Sequence, residues 1–414
     1  MKNLPPRLQL LNYYKQAIHA VNPRDCVRQH LQQHPTHPST ALIALGKAAF
    51  GMTLGAFDAL GTRISRALII TKQGTNSQFS PHDPITYLEA SHPLPDESSL
   101  RAGQVLLDYI QQLPPQQPVL CLLSGGASAL VEVLPSFLTL SEWQRINHWL
   151  LGSGLDIHAI NQVRKSLSLI KAGRLIHYLQ NRPLTNLLIS DVPGNDLCAI
   201  GSGPLVYHAQ LNPPSQLPSW LQNFIQKSPP LPPRSHFEHI QHHLVAYPEL
   251  ATQAIAKTAQ QQSWTIHLEK SPLVGEALIT GHTLAQQLYQ RSPGLLFIGS
   301  SETTVSLPPQ PGQGGRCQTL ALAAALQFAQ YPQHEYYLLA AGTDGQDGPG
   351  TAAGALVDKG TIARGQTKGL DPHQHLRQAN AGYFLAASGD LMNTGLTGTN
   401  VMDILIALKT ESSA

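Results

Sequence analysis

Five short apolar runs limit what this chain can fold into. They are residues 41–45 (ALIAL), 119–123 (VLCLL), 185–189 (TNLLI), 295–298 (LLFI) and 336–341 (YYLLAA). None alternates with polar residues as a half-exposed strand would. Each breaks directly into small or acidic residues. Short continuous apolar runs bounded by turn residues read as strands buried on both faces. Residues 66–70 (RALII) form a further strand candidate. Helical spacing appears over residues 8–33, 48–60, 100–112, 159–179 and 319–328. Strands that alternate with helices in this way imply an α/β chain with a parallel sheet covered on both faces.

A chain of 414 residues is too long for one ordinary core. The stretch 211–235 is rich in proline, with PP pairs, and reads as a connection between domains. The boundary is therefore expected near residue 232, giving domains 1–232 and 233–414. The final stretch, 393–410 (NTGLTGTNVMDILIALKT), reads as a glycine turn feeding a last helix.

Charge excludes several classes of partner. A net charge of +2 gives no basic field for nucleic acid. No run reaches the roughly 18 uninterrupted apolar residues that a membrane span needs. The start, MKNLPPRLQLLNYY, has no signal-peptide apolar core. Four scattered cysteines include no CxxC pair, which fits a reducing compartment. No HExxH pair occurs among the 19 histidines. The expectation is a soluble cytoplasmic protein, a monomer or a homodimer, with a small-molecule substrate and neither nucleic acid nor membrane as partner.

In an open parallel sheet, ligands gather at the carboxyl ends of the strands. The residues just beyond the five runs are therefore the ones to inspect. They are Gly46-Lys47; Ser124-Gly125-Gly126, with Ser128 next in line; Ser190-Asp191; Glu302; and Thr343-Asp344-Gly345. After Glu302 a turn at 311–315 delivers Arg316 to a helix start. Gln313, Gly314 and Gly315 there would present backbone N–H groups at a helix N-terminus, and Arg316 would add a planar fork of donors. Glycine turns, one lysine, one arginine and three carboxylates at strand tips suit a phosphate and metal site. Backbone N–H groups bind phosphate oxygens, cations offset charge on a transferring group, and carboxylates hold Mg²⁺ or accept a hydroxyl proton. Bland readings exist for some of these residues. Asp347 reads as a turn residue, and Arg164-Lys165 as a solvated helix face. No GxxxxGK[ST] motif is present, and no GxGxxG follows a strand, which argues against a nicotinamide enzyme. Residues 126–130 resemble a hydrolase elbow but fail G-x-S-x-G at the fifth position.

Together the segments resemble the class II glycerate kinases, glycerate 2-kinases with a C-terminal MOFRL domain. The matching stretches are ALGKAAFGM (44–52), EASHPLPDE (89–97), LLSGGASALVEVLP (122–135), NQVRKSLSLIKAGRL (161–175), LLISDVPGNDLCAIGSGP (187–204), SETTVSLPPQPGQGGRCQTLALAAA (301–325), AAGTDGQDGPGTAAGALVD (340–358) and GDLMNTGLTGTNVMDILI (389–406). The resemblance implies a Rossmann-like parallel α/β N-terminal domain, a smaller α/β MOFRL-like C-terminal domain, and a site in the cleft between them. It implies ATP-dependent, Mg²⁺-requiring phosphorylation of D-glycerate at its 2-hydroxyl to 2-phosphoglycerate. Hydroxypyruvate reduction, or kinase action on another small hydroxy acid, is the alternative.

Carried over by motif, Lys47, Arg316 and Asp344 are the expected catalytic residues, with Asp344 as the base. Ser124, Gly125, Gly126, Ser128, Asp191, Glu302, Gly314, Gly315 and Asn400 are expected to bind ATP, and Asp191 the metal. The sequence departs from the family pattern at Ser166, Ala172, Cys317, Ala381, Leu396 and Met402. The charged groups assigned to phosphoryl transfer all remain.

Overall fold

A computed structural model describes residues 4–34, 39–74, 85–180, 182–262, 264–331 and 333–411. The chain divides into two compact units, Pro23–Ala246 and Met1–Asn22 with Tyr247–Ala414. The division therefore falls at 246 rather than near 232, and the first helix, α1 (Pro6–Ala20), leaves the N-terminal unit. Helix α1 buries Leu10, Tyr13, Tyr14 and Ala17, and the Tyr14 hydroxyl donates to the Gly342 carbonyl at 2.7 Å. Pro23 then begins α2 (Pro23–Gln33), where its missing N–H costs nothing.

The unit Pro23–Ala246 is built on six strands: β1 (Thr40–Leu45), β2 (Ile64–Lys72), β3 (Ile85–Ala90), β4 (Val119–Leu123), β5 (Leu184–Ile189) and β6 (Ile240–Ala246). They lie in the order β3-β2-β1-β4-β5-β6, and every pair is parallel. Strands β1 and β4 are buried along their whole length, as the unbroken apolar runs require. Strand β6 pairs with β5, Leu188 standing opposite Leu244. A boundary at 232 would strip this strand from its sheet. The helices are α3 (Ala49–Leu60), α4 (Glu97–Gln111), the single turn α5 (Ala127–Leu130), α6 (Leu140–Gly152), α7 (Ile157–Ser166), the short α8 (Ile176–Leu179) and α9 (Ser219–Ile225).

Two expectations fail here for physical reasons. The continuous helix over 159–179 is two pieces, α7 and α8. Between them Ala172 and Gly173 take positive φ (52° and 81°). Buried Arg174 donates to the carbonyls of Lys165 and Pro229, both at 2.7 Å, and buried Lys171 pairs with buried Glu132. The Arg174 side chain takes the Lys165 carbonyl, which a continuous helix would have paired with a backbone N–H. The proline-rich stretch is also more than a connection. Its helix α9 seats fully buried Leu221, with Leu217, in an apolar cluster with Trp143, Ile146 and Leu150.

The second unit holds α1, α10 (Pro248–Gln260), β7 (Thr265–Leu268), β8 (Leu273–Glu276), α11 (Ala277–Gln290), β9 (Leu295–Thr304), α12 (Arg316–Phe328), β10 (His334–Gly342), β11 (Gly354–Asp358), β12 (Leu391–Met392) and β13 (Asp403–Glu411). Its seven-stranded sheet runs β12-β11-β10-β13-β9-β7, with β8 also on β9. The sheet is mixed, not parallel: β13 is antiparallel to both of its neighbours, β9 and β10. The expected last helix is β13 itself, at the centre of the sheet. A short apolar run such as ILIAL does not distinguish a buried strand from a buried helix by periodicity.

Candidate active site

In the unit Pro23–Ala246, the strand order reverses between β1 and β4. That reversal opens a crevice at the carboxyl ends of the two strands. Gly46 leaves β1 with φ of 124°, and a Cβ there would stand 2.3 Å from the Ser124 hydroxyl oxygen. The Ser124 oxygen accepts the Ala48 N–H at 3.1 Å. Ser124, expected to bind nucleotide, thus ties the β1 turn to the β4 turn. The Lys47 N–H donates to the Gly125 carbonyl at 2.9 Å. Gly126 has φ of 85°, and a Cβ there would meet the Lys47 Cγ at 3.1 Å and the His92 ring at 3.2 Å. A Cβ on Gly125 would overlap the Asp191 carboxylate, at 1.9 Å from Oδ2.

Lysine, acid and bare glycine backbone therefore converge on one turn. Gly125, Gly126 and Asp191, with Ser128, line a cavity of about 190 Å³. The Ser128 hydroxyl lies 2.9 Å from that of Ser202. Sequence reasoning missed other lining residues, His92, Asn161, Arg164 and Ser202. Arg164 read as a solvated face; instead it lines the cavity, and its Nε donates to the Asn147 side-chain carbonyl oxygen at 2.8 Å.

In the second unit, β9 and β10 run the same way, so their carboxyl ends share an edge with the start of β13. Asp403 opens β13 opposite Gly342 and Ser301. Glu302 lies within β9, not beyond its tip, and Asp344 stands just past the end of β10. Arg316, at the first position of α12, spans Asp403 and Glu302. Its Nε donates to Asp403 Oδ2 at 2.6 Å and its Nη2 to Asp403 Oδ1 at 3.1 Å. The other face of the fork grips both Glu302 oxygens, Oε2 at 3.2 Å. The expected open donor fork is already engaged by two carboxylates. Burial pushes the fully buried Asp403 carboxyl up, against the pull of Arg316.

The start of α12 also differs from expectation. Asp347, read as a turn residue, accepts the Cys317 N–H at 3.0 Å and the Gln318 N–H at 2.8 Å. A Cβ on Gly315 would fall 2.2 Å from Asp347 Oδ1. A protein carboxylate thus sits at the helix end expected to take a phosphate. Burial, reinforced by the nearby Asp403, pushes the Asp347 carboxyl up to about 7. The Gln313 N–H is taken by the Asn380 side-chain oxygen at 2.8 Å. The N–H groups of Gly314 and Gly315 have no partner among the described residues. Asp344 Oδ1 accepts the Gln346 N–H at 3.1 Å, and Asn400 Oδ1 accepts the Met402 N–H at 3.4 Å. Cys317 is buried in the first turn of α12 and Ser166 is buried on α7. Among the described residues, no three His, Cys, Asp or Glu side chains gather as a cation site.

Residues 9–214 match a domain of unknown function, DUF4147, and residues 295–403 match the MOFRL family. The chain is 32% identical to the D-glycerate 2-kinase of Thermotoga maritima, over 95% of this chain and 96% of the relative. It is 33% identical to an Agrobacterium vitis protein named, provisionally, as a hydroxypyruvate reductase, over 96% of this chain and 93% of the relative. Among solved structures it superposes on the glycerate kinase of Thermotoga maritima with a TM-score of 0.84 and 31% identity, covering 97% of this chain and 99% of that one.

Proposed function

This chain belongs to the MOFRL family of glycerate kinases, and on that premise we propose that it transfers the γ-phosphoryl group of ATP to the 2-hydroxyl of D-glycerate, releasing ADP and 2-phosphoglycerate. The observation that carries this reading is the meeting of Lys47 and Asp191 at the Gly125–Gly126 turn, where β1 and β4 diverge. The missing Cβ atoms let the Asp191 carboxylate and the Lys47 side chain close against the turn, beside the cavity. The Lys47 ammonium stabilises the charge on the transferring group, as a fixed charge that needs no reorganisation during reaction. Ser128 donates from the cavity wall.

Asp191 is the residue that would hold Mg²⁺. Mg²⁺ is bound through one or two carboxylates together with substrate phosphates, so a single acid beside a phosphate turn fits it. When bound, Mg²⁺ neutralises charge on the phosphate oxygens. In the second unit, Asp344 is the candidate base for the hydroxyl proton. Gly314, Gly315, Glu302 and Asn400 are the candidate nucleotide contacts there. Arg316, engaged by Glu302 and Asp403, holds those acids in place and balances their charge. An ATP-using reaction supports a cytoplasmic setting. No helix among the described residues is long and apolar enough to cross a membrane.

The test is ADP formation coupled to D-glycerate addition, in the presence of Mg²⁺. NADH oxidation by hydroxypyruvate, without ATP, is the parallel arm, because it would signal a reductase. The sequence offers that chemistry no GxGxxG turn after a strand. Asp344→Asn should lower kcat with little change in the Mg²⁺ requirement, and Asp191→Asn should raise the Mg²⁺ needed for half activity. The reverse pattern would exchange the two assignments.

A further inference from the structure

We propose that Arg164, with Trp143 and Asn161, forms the subsite that grips the carboxylate of the hydroxy-acid acceptor, and so selects acids over neutral polyols. This rests on the kinase reading above. Asn161 and Arg164 are three residues apart on α7 and share a helix face. Both line the cavity beside the Gly125–Gly126 turn, as does Trp143 of α6.

Three observations point to an anion. First, Arg164 makes no ion pair among the described residues. Its only side-chain hydrogen bond there runs from Nε to Asn147, which leaves both terminal nitrogens of the fork unassigned. The acid nearest in effect, Glu132, is already bound by Lys171 and by the Ser168 hydroxyl at 2.6 Å. Second, the Trp143 indole N–H is buried with no partner, and Trp143 itself is fully buried. An orphaned buried donor is costly unless a ligand satisfies it. Third, burial weakens the hold of Arg164 on its proton, and the charge of Glu132 opposes this only in part.

Size and geometry choose a carboxylate for the Arg164 end of the cavity. A cavity of about 190 Å³ suits a three-carbon hydroxy acid and is too small for a whole nucleoside triphosphate. A single carboxylate meets the planar guanidinium fork in two parallel bonds.

The experiment compares wild type with Arg164→Gln and Arg164→Lys in steady-state kinetics. Calorimetric titration with D-glycerate and with ADP, and thermal melts, accompany it. The expected result is a rise of about 10²-fold in KM for D-glycerate in the Gln variant, with partial recovery in the Lys variant. The KM for ATP, the ADP affinity and the melting temperature should stay near wild type. Glycerol, which lacks the carboxylate, should be a poor acceptor for wild type and no worse for the Gln variant. An unchanged KM for D-glycerate in a folded, active Gln variant would overturn the subsite. So would a rise confined to ATP, which would assign Arg164 to a phosphate. If wild type neither binds nor phosphorylates D-glycerate, the kinase reading fails instead.

Discussion

Gly125→Ala probes the site with one methyl group. Gly125 has no positive φ, so alanine is conformationally acceptable there. The added Cβ would stand 1.9 Å from Asp191 Oδ2 and 2.5 Å from its Cγ, whereas ordinary contact begins at 3.4 Å. Something must retreat by about 1.5 Å. The mobile partner is the short Asp191 side chain, because the Gly125 carbonyl is held by the Lys47 N–H. A 1 Å error in a reacting group costs roughly 10²-fold in rate, or about 2.7 kcal/mol of transition-state stabilisation. The fold should barely notice, since alanine also reduces the freedom of the unfolded chain by about 0.4–1 kcal/mol. The assay is kcat/KM for D-glycerate at saturating ATP, with a Mg²⁺ titration and a thermal melt. The expected variant is folded, at least about 10²-fold slower, and needs more Mg²⁺. Gly152→Ala, where a Cβ meets nothing within 4 Å, should be neutral. A Gly125→Ala enzyme within about threefold of wild type would refute the placing of Asp191 in the reaction.

Other perturbations test separate parts of the structure. Lys47→Ala should lower kcat/KM by about 10²-fold or more without unfolding the protein; an unchanged rate would return Lys47 to the surface. Lys171→Ala leaves Glu132 buried without its ion and should cost about 3–5 kcal/mol in urea unfolding, much of it recovered in a Lys171→Met/Glu132→Leu pair. Asp347 is raised in the folded protein from its ordinary 3.8 to about 7. The native state therefore binds more protons than the unfolded one between those values, and the Asp347 contribution to stability falls as pH rises through that window. Asp347→Asn should flatten this slope, as read from melting temperatures between pH 4 and 7. An unaltered slope would show that another group carries it.

The doubly buried strands were legible because their apolar runs do not alternate, and β1, β4, β5, β9 and β10 all stand where those runs lie. The order and direction of strands were not. Residues 403–411 carry an apolar run that suits a strand or a helix equally, and only its hydrogen bonds to β9 and β10 make it β13. The sequence singles out Gly125, Gly126, Lys47 and Asp191 as residues that follow buried parallel strands, and the structure brings them to one turn. Arg164 was missed because helical spacing says which residues share a face, not what that face covers. Asp347 was missed because DG pairs are common in turns, and its service to the start of α12 depends on contacts thirty residues distant in sequence. Arg316 was found as a charge, but its two carboxylate partners come from different strands. Cys317, a departure from the family pattern, is buried beside Asp347 and Asp403.

Phosphorus NMR of a reaction holding the protein, ATP, Mg²⁺ and D-glycerate tracks donor and product together. The expected spectrum shows ADP appearing in step with a phosphomonoester on carbon 2, identified by its coupling to a single proton. A signal from 3-phosphoglycerate, or ATP lost only to inorganic phosphate at a rate that glycerate does not change, would contradict 2-kinase chemistry.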